Sequence, residues 1–168
     1  MKIGTGWDIH PLVAHRPLII GGVTIPHDLG EAGHSDGDVL LHALIDALLG
    51  SQALGDIGKH FPPSDARYKD IRSTELLQSV LQMIPGWEIV HIDTTIILEQ
   101  PKLSVYIKEI RESIASLCQI PLERVSVKAK TAEGLLGEVG TGTAIIAQAM
   151  VLMQPIQSDI GESVDIWV

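Results

Sequence analysis

The segment from Asp36 to Leu49 gives the clearest helix signal in the chain. Ser35 or Asp36 is its expected N-cap, and Gly50 its expected stop. Apolar residues recur at helical spacing, at Val39, Leu40, Ala43, Leu44, Ala47 and Leu48. The polar residues Asp38, His42 and Asp46 fall at i, i+4 and i+8 and share one face of this otherwise apolar segment. We therefore expect a helix that packs on a sheet and carries His42 at its middle.

Strand and helix signals alternate loosely along the rest of the chain. Residues 17–25 read as a hairpin with Gly21-Gly22 in the turn. Ser73 and Glu75 supply start signals for a second helix. Predicted strands cover 2–10, 87–98, 124–130 and 143–153, and predicted helices cover 36–49, 73–83 and 103–117. This order predicts an α+β fold, a mixed sheet with helices packed on one face.

The size and hydropathy of the chain suggest one core and a buried outer surface. A chain of 168 residues with 45% apolar content can bury a single core, so we expect one domain over residues 1–168, with a flexible tail at about 155–168. The mean hydropathy of +0.25 is high for a small domain. Either a large core or an oligomer interface explains it, and we expect identical copies to bury the free face of the sheet.

Charge and composition exclude several classes of protein. A net charge of −9 argues against a nucleic-acid-binding surface, which needs clustered Lys and Arg. The single cysteine, Cys118, allows neither an intrachain disulfide nor a cysteine zinc cluster. The N-terminal residues lack the apolar run of a signal peptide, and residues 144–153 are too short to cross a bilayer. We expect a cytoplasmic protein without a membrane partner.

Asp8 and His10 form the first candidate site. Two residues apart on a strand, they project from the same face, about 7 Å apart. If the first helix packs on that face, it adds His42 and completes a two-His, one-carboxylate set. Such a set fits a four-coordinate zinc with one open position. A polar strand end and a satisfied core histidine would give the same sequence pattern, so spacing alone leaves both open.

Three further features could complete such a site. Asp38 or Asp46 could accept the second imidazole N–H of His42 and fix its tautomer, or could simply be solvated. The segment 33–37 leads into the helix N-terminus, where His34 and Ser35 could hold a phosphate, although an empty cap is the simpler alternative. Glu133, in a glycine-rich turn, could ligate Mg²⁺ or be an ordinary solvated carboxylate.

Taken together, the motifs of the chain resemble those of the 2-C-methyl-D-erythritol 2,4-cyclodiphosphate synthase family. The resemblance is carried by GHSDGDVLLHALIDALLG and GDIGKHFPPSD. It extends through KIGTGWDIH, GGVTIP, QPKL and VKAKTAEG, and so covers the chain to about Met153.

The resemblance implies a homotrimer with active sites at subunit boundaries. The family reaction converts 4-diphosphocytidyl-2-C-methyl-D-erythritol 2-phosphate to the cyclic diphosphate and CMP. By the same resemblance, Asp8, His10 and His42 bind one Zn²⁺ per subunit, and Glu133 binds Mg²⁺ or Mn²⁺. With His34, these four residues make up the implied catalytic set.

The implied substrate contacts fall into three groups. His34 and Ser35 hold the diphosphate, while Asp56 and Gly58 hold the ribose. The methylerythritol part rests near Asp56, Phe61 and Asp65. A neighbouring subunit contributes the cytidine and phosphate contacts, which are Leu98, Lys102, Leu103, Ala129, Lys130 and Thr131, with Glu133 beside them.

Two positions depart from the family pattern. Pro63 stands two residues before Asp65, where many members carry an acid. Thr141 lies in a loop where many members carry an Arg, and it cannot supply the cation with which such members bind an isoprenoid diphosphate in the trimer cavity. We expect the chemistry to survive both changes.

Two other functions use the same residues. A zinc phosphodiesterase would use the same ligands to activate water and would give a linear product. A non-catalytic trimeric nucleotide- or metal-binding module would bind without turnover. The intact set of Asp8, His10, His42 and Glu133 argues against the second alternative.

Overall fold

A five-stranded mixed sheet organises the computed structural model, which describes residues 1–157. Its strands are β1 (Lys2–Ala14), β4 (Leu29–Glu31), β5 (Trp87–Ile97), β6 (Val125–Lys130) and β7 (Ala144–Pro155), in the spatial order β4-β1-β7-β5-β6. β5 and β6 are parallel, and the other pairs are antiparallel. The predicted mixed sheet is confirmed.

The predicted hairpin forms a separate two-stranded sheet. It consists of β2 (Leu18–Ile20) and β3 (Val23–Ile25). Gly21 and Gly22 join the strands with φ angles of 62° and 80°. Two successive positive φ angles are what a tight type I′ turn requires, which accounts for the glycine pair.

Four α-helices complete the described part of the fold: α1 (Val39–Ser51), α2 (Ile57–His60), α3 (Ser73–Met83) and α4 (Ile107–Cys118). α1 packs on β1 and β7, α3 packs on α1, and α4 packs on β6. The three predicted helices are confirmed, although the last begins at Ile107 because Leu103–Val105 form a 3-10 turn. β4 and α2 were not predicted, since three or four residues are too short to show periodicity.

Both predicted ends of α1 are wrong. The N-cap is Asp38, whose carboxylate accepts the backbone N–H of Leu41 and also those of Gly21 and Gly22. Neither Ser35 nor Asp36 caps the helix. At the other end the helix continues through Gly50 to Ser51, whose hydroxyl donates to the carbonyl of Leu48.

Glycines on β1 let α1 approach the strand backbone closely. A Cβ at Gly4 would lie 1.8 Å from the carbonyl oxygen of Ala47, and one at Gly6 would lie 1.9 Å from that of Ala43. Real Cβ atoms do not make such contacts, so only glycine fits at either position. This close packing fixes the height and rotation of α1, and with them the position of His42 above the strand.

The two faces of the sheet differ sharply in exposure. Along β7, Ile145, Ala147, Ala149, Val151 and Met153 point into the core beneath α1, and the alternate residues point outward. Exposed large apolar side chains on β1 and β7 include Ile3, Trp7, Ile9, Val13 and Met150. We call this set the outer sheet face. Among the described residues, no helix has the length and apolarity that crossing a membrane requires.

The last strand extends beyond its predicted end. β7 continues to Pro155, which pairs with Trp87, and Ile156 donates its N–H to the carbonyl of Gly86. Residues 155–156 of the predicted tail are therefore held by the sheet. The remainder of that prediction, from residue 158 onward, lies outside the described residues.

A candidate metal centre and two cavities

Asp8, His10 and His42 meet where α1 crosses β1. The carboxylate Oδ2 of Asp8 lies 3.0 Å from His10 Nε2 and 3.2 Å from His42 Nδ1. One ligand atom from each residue lies within 4.8 Å of the others, so a single cation could contact all three. The two imidazole rings stand edge to face, with centroids 5.0 Å apart. The predicted convergence of strand and helix on one site is confirmed.

Groups that the sequence did not indicate contact the Nδ1 atom of His10. Its Nδ1 lies 2.6 Å from the carbonyl oxygen of Gly37 and 3.0 Å from Glu31 Oε2. Because both are acceptors, Nδ1 carries the proton and Nε2 faces Asp8. Glu31 is fully buried and also accepts the N–H of Val39. No spacing in the sequence connects Glu31 with His10, so only the fold reveals this contact.

The pKa values of Asp8 and His10 are shifted by burial in one direction and by neighbouring charges in the other. Burial acts to raise the pKa of Asp8, but the imidazoles of His10 and His42 outweigh it and hold that pKa well below its usual range. Burial likewise acts to lower the pKa of His10, and the carboxylates of Asp8 and Glu31 outweigh it and raise the pKa to about 10. Asp8 is thus anionic over the physiological range, as a metal ligand must be.

The expected carboxylate partner of His42 is not Asp38 or Asp46. Asp38 caps α1, and Asp46 accepts the N–H of Ile57 at 2.7 Å. The Nε2 atom of His42 instead lies 3.0 Å from the hydroxyl of Ser35 and 2.9 Å from that of Ser73. The prediction was wrong because Asp38 and Asp46, although on the same helix face, are drawn to nearby backbone N–H groups.

The backbone N–H groups at the N-terminus of α1 are less available to an anion than the sequence suggests. Glu31 Oε2 accepts the N–H of Val39, and Asp38 Oδ1 accepts that of Leu41. Two of the first-turn donors are therefore occupied by the protein's own carboxylates.

Ser73, expected to supply a start signal for α3, is the first residue of that helix. Its hydroxyl contacts His42 and does not cap the helix.

A cavity of about 240 Å³ opens beside the Asp8, His10 and His42 cluster. Its polar lining includes His34 and Ser35, which were predicted from the sequence as phosphate contacts. Gly58 and Phe61 also line it, and Pro63 occupies part of the wall. Asp56 and Asp65 lie in the adjoining loop, where Asp56 caps α2 and Asp65 pairs with Arg67. Asp46 ties this loop to α1 through Ile57.

The predicted cytidine contacts gather in a second cavity, of about 420 Å³. This cavity shares no lining residue with the first. Glu133 lies at its edge with φ of 53°, and its carboxylate accepts the hydroxyl of Thr131. Its lining contains Leu98, Lys102, Leu103, Ala129, Lys130, Thr131 and Glu133, all of the residues expected there. Thr141 lies in the following loop and hydrogen-bonds to the carbonyl of Glu138.

The donor set of the first site suits a catalytic metal. Two imidazole nitrogens and one carboxylate oxygen match the ligands of a divalent cation such as zinc that keeps one position open. All three residues line the cavity of about 240 Å³. An α+β fold that carries such a group in the wall of a cavity is typical of metal-dependent enzymes.

Comparison with known proteins identifies the family within that class. The YgbB family model matches residues 1–154, and the chain belongs to this family. A 2-C-methyl-D-erythritol 2,4-cyclodiphosphate synthase from Moorella thermoacetica is 52% identical over 163 residues, which are 96% of this chain and 99% of the relative.

Solved structures agree with this assignment. A structure of 2C-methyl-D-erythritol-2,4-cyclodiphosphate synthase in a CDP-bound form superposes with a TM-score of 0.84 at 36% identity, over 91% of this chain and 100% of that one. The bifunctional IspDF of Campylobacter jejuni gives a TM-score of 0.87 at 35% identity. That alignment covers 93% of this chain but only 42% of the longer bifunctional chain.

Proposed function

We propose that the protein converts 4-diphosphocytidyl-2-C-methyl-D-erythritol 2-phosphate to 2-C-methyl-D-erythritol 2,4-cyclodiphosphate and CMP, a step of non-mevalonate isoprenoid precursor synthesis. The observation that carries the proposal is the Asp8, His10 and His42 cluster beside a cavity lined by His34 and Ser35. Relatives about 50% identical over nearly the whole chain carry the name of this synthase.

Asp8, His10 and His42 would hold a zinc ion, and Glu133 would hold a Mg²⁺ or Mn²⁺ ion. Nitrogen ligands favour zinc at the first site, whereas a lone carboxylate beside substrate phosphates suits the harder cation at the second. When bound, the two cations would polarise the attacked phosphoryl group and neutralise charge on the departing CMP. Their identities are part of the proposal.

The chain's own residues would position the two ends of one substrate molecule. His34 and Ser35 would hold the diphosphate, and Gly58, Phe61 and the Asp56 and Asp65 carboxylates would surround the polyol and ribose. The 2-phosphate oxygen attacks the β-phosphorus, a bond forms between them, and the bond from that phosphorus to CMP breaks. The attacking oxygen is already anionic at neutral pH, so no residue has to remove a proton. Effective molarities of about 10⁵ M or more are available from such positioning.

We further propose that three copies assemble through the outer sheet face and complete each active site. Trp7, Ile9 and Met150 are 55%, 43% and 43% exposed, an apolar area that a lone domain would leave in water. The second cavity, with Lys102, Ala129 and Glu133, is separate from the first on the same chain. A neighbouring copy could bring its second cavity against the first and unite the two cation sites. We expect this assembly to act in the cytoplasm, without nucleic acid or membrane as partner.

The product of the reaction tests the proposal. The purified protein, with Zn²⁺ and Mg²⁺, is incubated with 4-diphosphocytidyl-2-C-methyl-D-erythritol 2-phosphate and followed by ³¹P NMR. Two coupled resonances of a cyclic diphosphate, with CMP in equal amount, are the expected result. CMP with a linear bisphosphate would identify a hydrolase instead, and an unchanged spectrum with bound nucleotide would identify a binding module. Either result overturns the proposal.

A further inference from the structure

The imidazole of His42 contacts polar groups through both of its nitrogens. Nδ1 faces Asp8 Oδ2 at 3.2 Å, on the side of the candidate metal centre. Nε2 faces away from it, toward the hydroxyls of Ser35 and Ser73. Ser73 is fully buried and Ser35 is 5% exposed, so this rear side of the ring is closed to solvent.

Asp36 determines the direction of the hydrogen bond behind His42. The hydroxyl of Ser73 lies 2.5 Å from Asp36 Oδ1. An ionised carboxylate can only accept, so the single hydroxyl proton of Ser73 points to Asp36. Only the lone pairs of the Ser73 oxygen remain for His42, and Nε2 must therefore be the donor. The chain Asp36, Ser73, His42 consequently favours the tautomer with its proton on Nε2.

Asp8 favours the opposite tautomer. Without a metal, its carboxylate is an acceptor 3.2 Å from His42 Nδ1 and stabilises a proton there. A proton on Nδ1 would occupy the lone pair that a metal requires. Ser35 does not prevent this, because its hydroxyl can donate to Nε2 as well as accept from it. Of the two hydroxyls, only that of Ser73 has its proton committed to a carboxylate.

We propose that Ser73 and Asp36 are positioning residues that hold His42 in the tautomer able to bind a metal through Nδ1. Residues behind a metal-bound histidine commonly select its tautomer, and their loss lowers metal affinity by about 10- to 100-fold. The inference rests on the metal site of the proposed function. It assigns to a serine on α3 and an aspartate in the loop before α1 a role for which Asp38 and Asp46 were the candidates in the sequence.

Two measurements on purified protein test the role of Ser73. Zinc affinity is measured by competition with a chromophoric chelator, and the tautomer of His42 is read from imidazole ¹⁵N shifts of the metal-free protein. Ser73→Ala should weaken zinc binding by about 10- to 100-fold and move the proton from Nε2 toward Nδ1. Ser73→Thr keeps the hydroxyl and should restore both readouts. Ser79→Ala on the same helix, where the hydroxyl donates to the carbonyl of Glu75, should change neither.

A second variant separates the proposed direction of the hydrogen bond from packing at position 73. Asp36→Ala leaves the Ser73 hydroxyl in place but frees its proton, so it should shift the tautomer in the same sense as Ser73→Ala. An unchanged tautomer or an unchanged zinc affinity in Ser73→Ala overturns the inference. If the unsubstituted protein binds no zinc at all, the metal part of the proposed function fails, while the ¹⁵N shifts still report whether Ser73 and Asp36 fix the tautomer.

Discussion

A methyl group on Gly6 would lie 1.9 Å from the carbonyl oxygen of Ala43, so strand β1 and helix α1 touch backbone to backbone. His42 precedes Ala43, and Asp8 follows Gly6 by two residues on the same strand face. The contact that sets the distance between strand and helix therefore also sets the distance between two ligands of the candidate metal centre.

We expect Gly6→Ala to destabilise the fold by about 3 kcal/mol or more, the upper part of the range for overpacked cores, because the clash is with rigid backbone. Urea unfolding followed by circular dichroism measures the loss. Gly50→Ala is the matched control, since the nearest atom that its Cβ would meet among the described residues outside its own helix is Thr5 O, at 3.7 Å, and alanine favours the helix by up to about 1 kcal/mol. Equal stability of the Gly6→Ala variant and the unsubstituted protein would contradict the close approach.

His42→Ala should abolish zinc binding and turnover and leave a folded protein. The substitution removes one of three ligands, while the contacts of α1 with β1 and β7 remain. Metal content after dialysis, turnover of the substrate and far-UV circular dichroism give the three readouts. His27→Ala, which alters a half-buried imidazole outside the cluster, serves as the control. Full activity of the His42 variant would refute the proposed metal role.

Glu133→Gln should raise the Mg²⁺ concentration needed for half-maximal activity and leave zinc content unchanged. The amide lacks the negative charge that a hard cation prefers, while the size of the side chain is kept. Titration of activity with Mg²⁺ at fixed Zn²⁺ tests this. Glu138→Gln, in the same exposed loop, should titrate like the unsubstituted protein. If all three proteins need the same Mg²⁺ concentration for half-maximal activity, Glu133 is not a ligand of the second cation.

Trp7→Glu should convert the proposed trimer to monomers. A carboxylate on the outer sheet face would have to lose its water of hydration in an interface, beside the same charge from two other copies. Sedimentation velocity measures the assembly, and activity should fall with it because each site would lack its neighbour's residues. Met83→Glu places the same charge on an exposed methionine of α3, away from that face, and should keep the trimer. Trp7→Glu protein that still sediments as a trimer would disprove the interface.

Cys118 should react slowly with thiol reagents in the native protein. Burial raises the pKa of its thiol to about 12, so the neutral form dominates at pH 8 and the thiolate, which is the nucleophile, is scarce. Because the pKa is raised, reactivity should increase as pH rises toward 12. Relative to urea-unfolded protein at pH 8, we expect a rate lower by about a thousandfold with a disulfide reagent. Comparable rates in the two states would mean that the thiol is accessible.

Residue patterns predicted the elements that are long enough to show a period. The apolar spacing in α1 and the alternation in β5 and β7 indicated their type, and the Gly21-Gly22 pair indicated the hairpin. Strand and helix spacing indicated Asp8, His10 and His42, and the family resemblance added the ribose, methylerythritol and cytidine contacts. The helix cap, the Glu31 contact and the Ser73 contact could not be predicted, because each depends on which of several competing donors lies within 3 Å once the chain has folded.

The close contact of Gly4 and Gly6 with α1 also could not be predicted from the sequence. Gly4 and Gly6 stand in a predicted strand, where glycine is unfavourable, and the sequence alone does not say which element approaches them. Only the packing of α1 explains why no side chain is tolerated there.

The pairing of β1 with β7 joins the two ends of the described chain, since Asp8 lies opposite Ala147 and His10 opposite Ile145. During synthesis on a ribosome, Asp8 and His10 emerge well before β7, the strand that pairs with β1 and holds them in register. A nascent chain can thus form α1 with His42 early, yet has no rigid place for the other two ligands until β7 is made. Metal binding at the candidate centre is therefore expected to follow the synthesis of β7 rather than to guide folding before it.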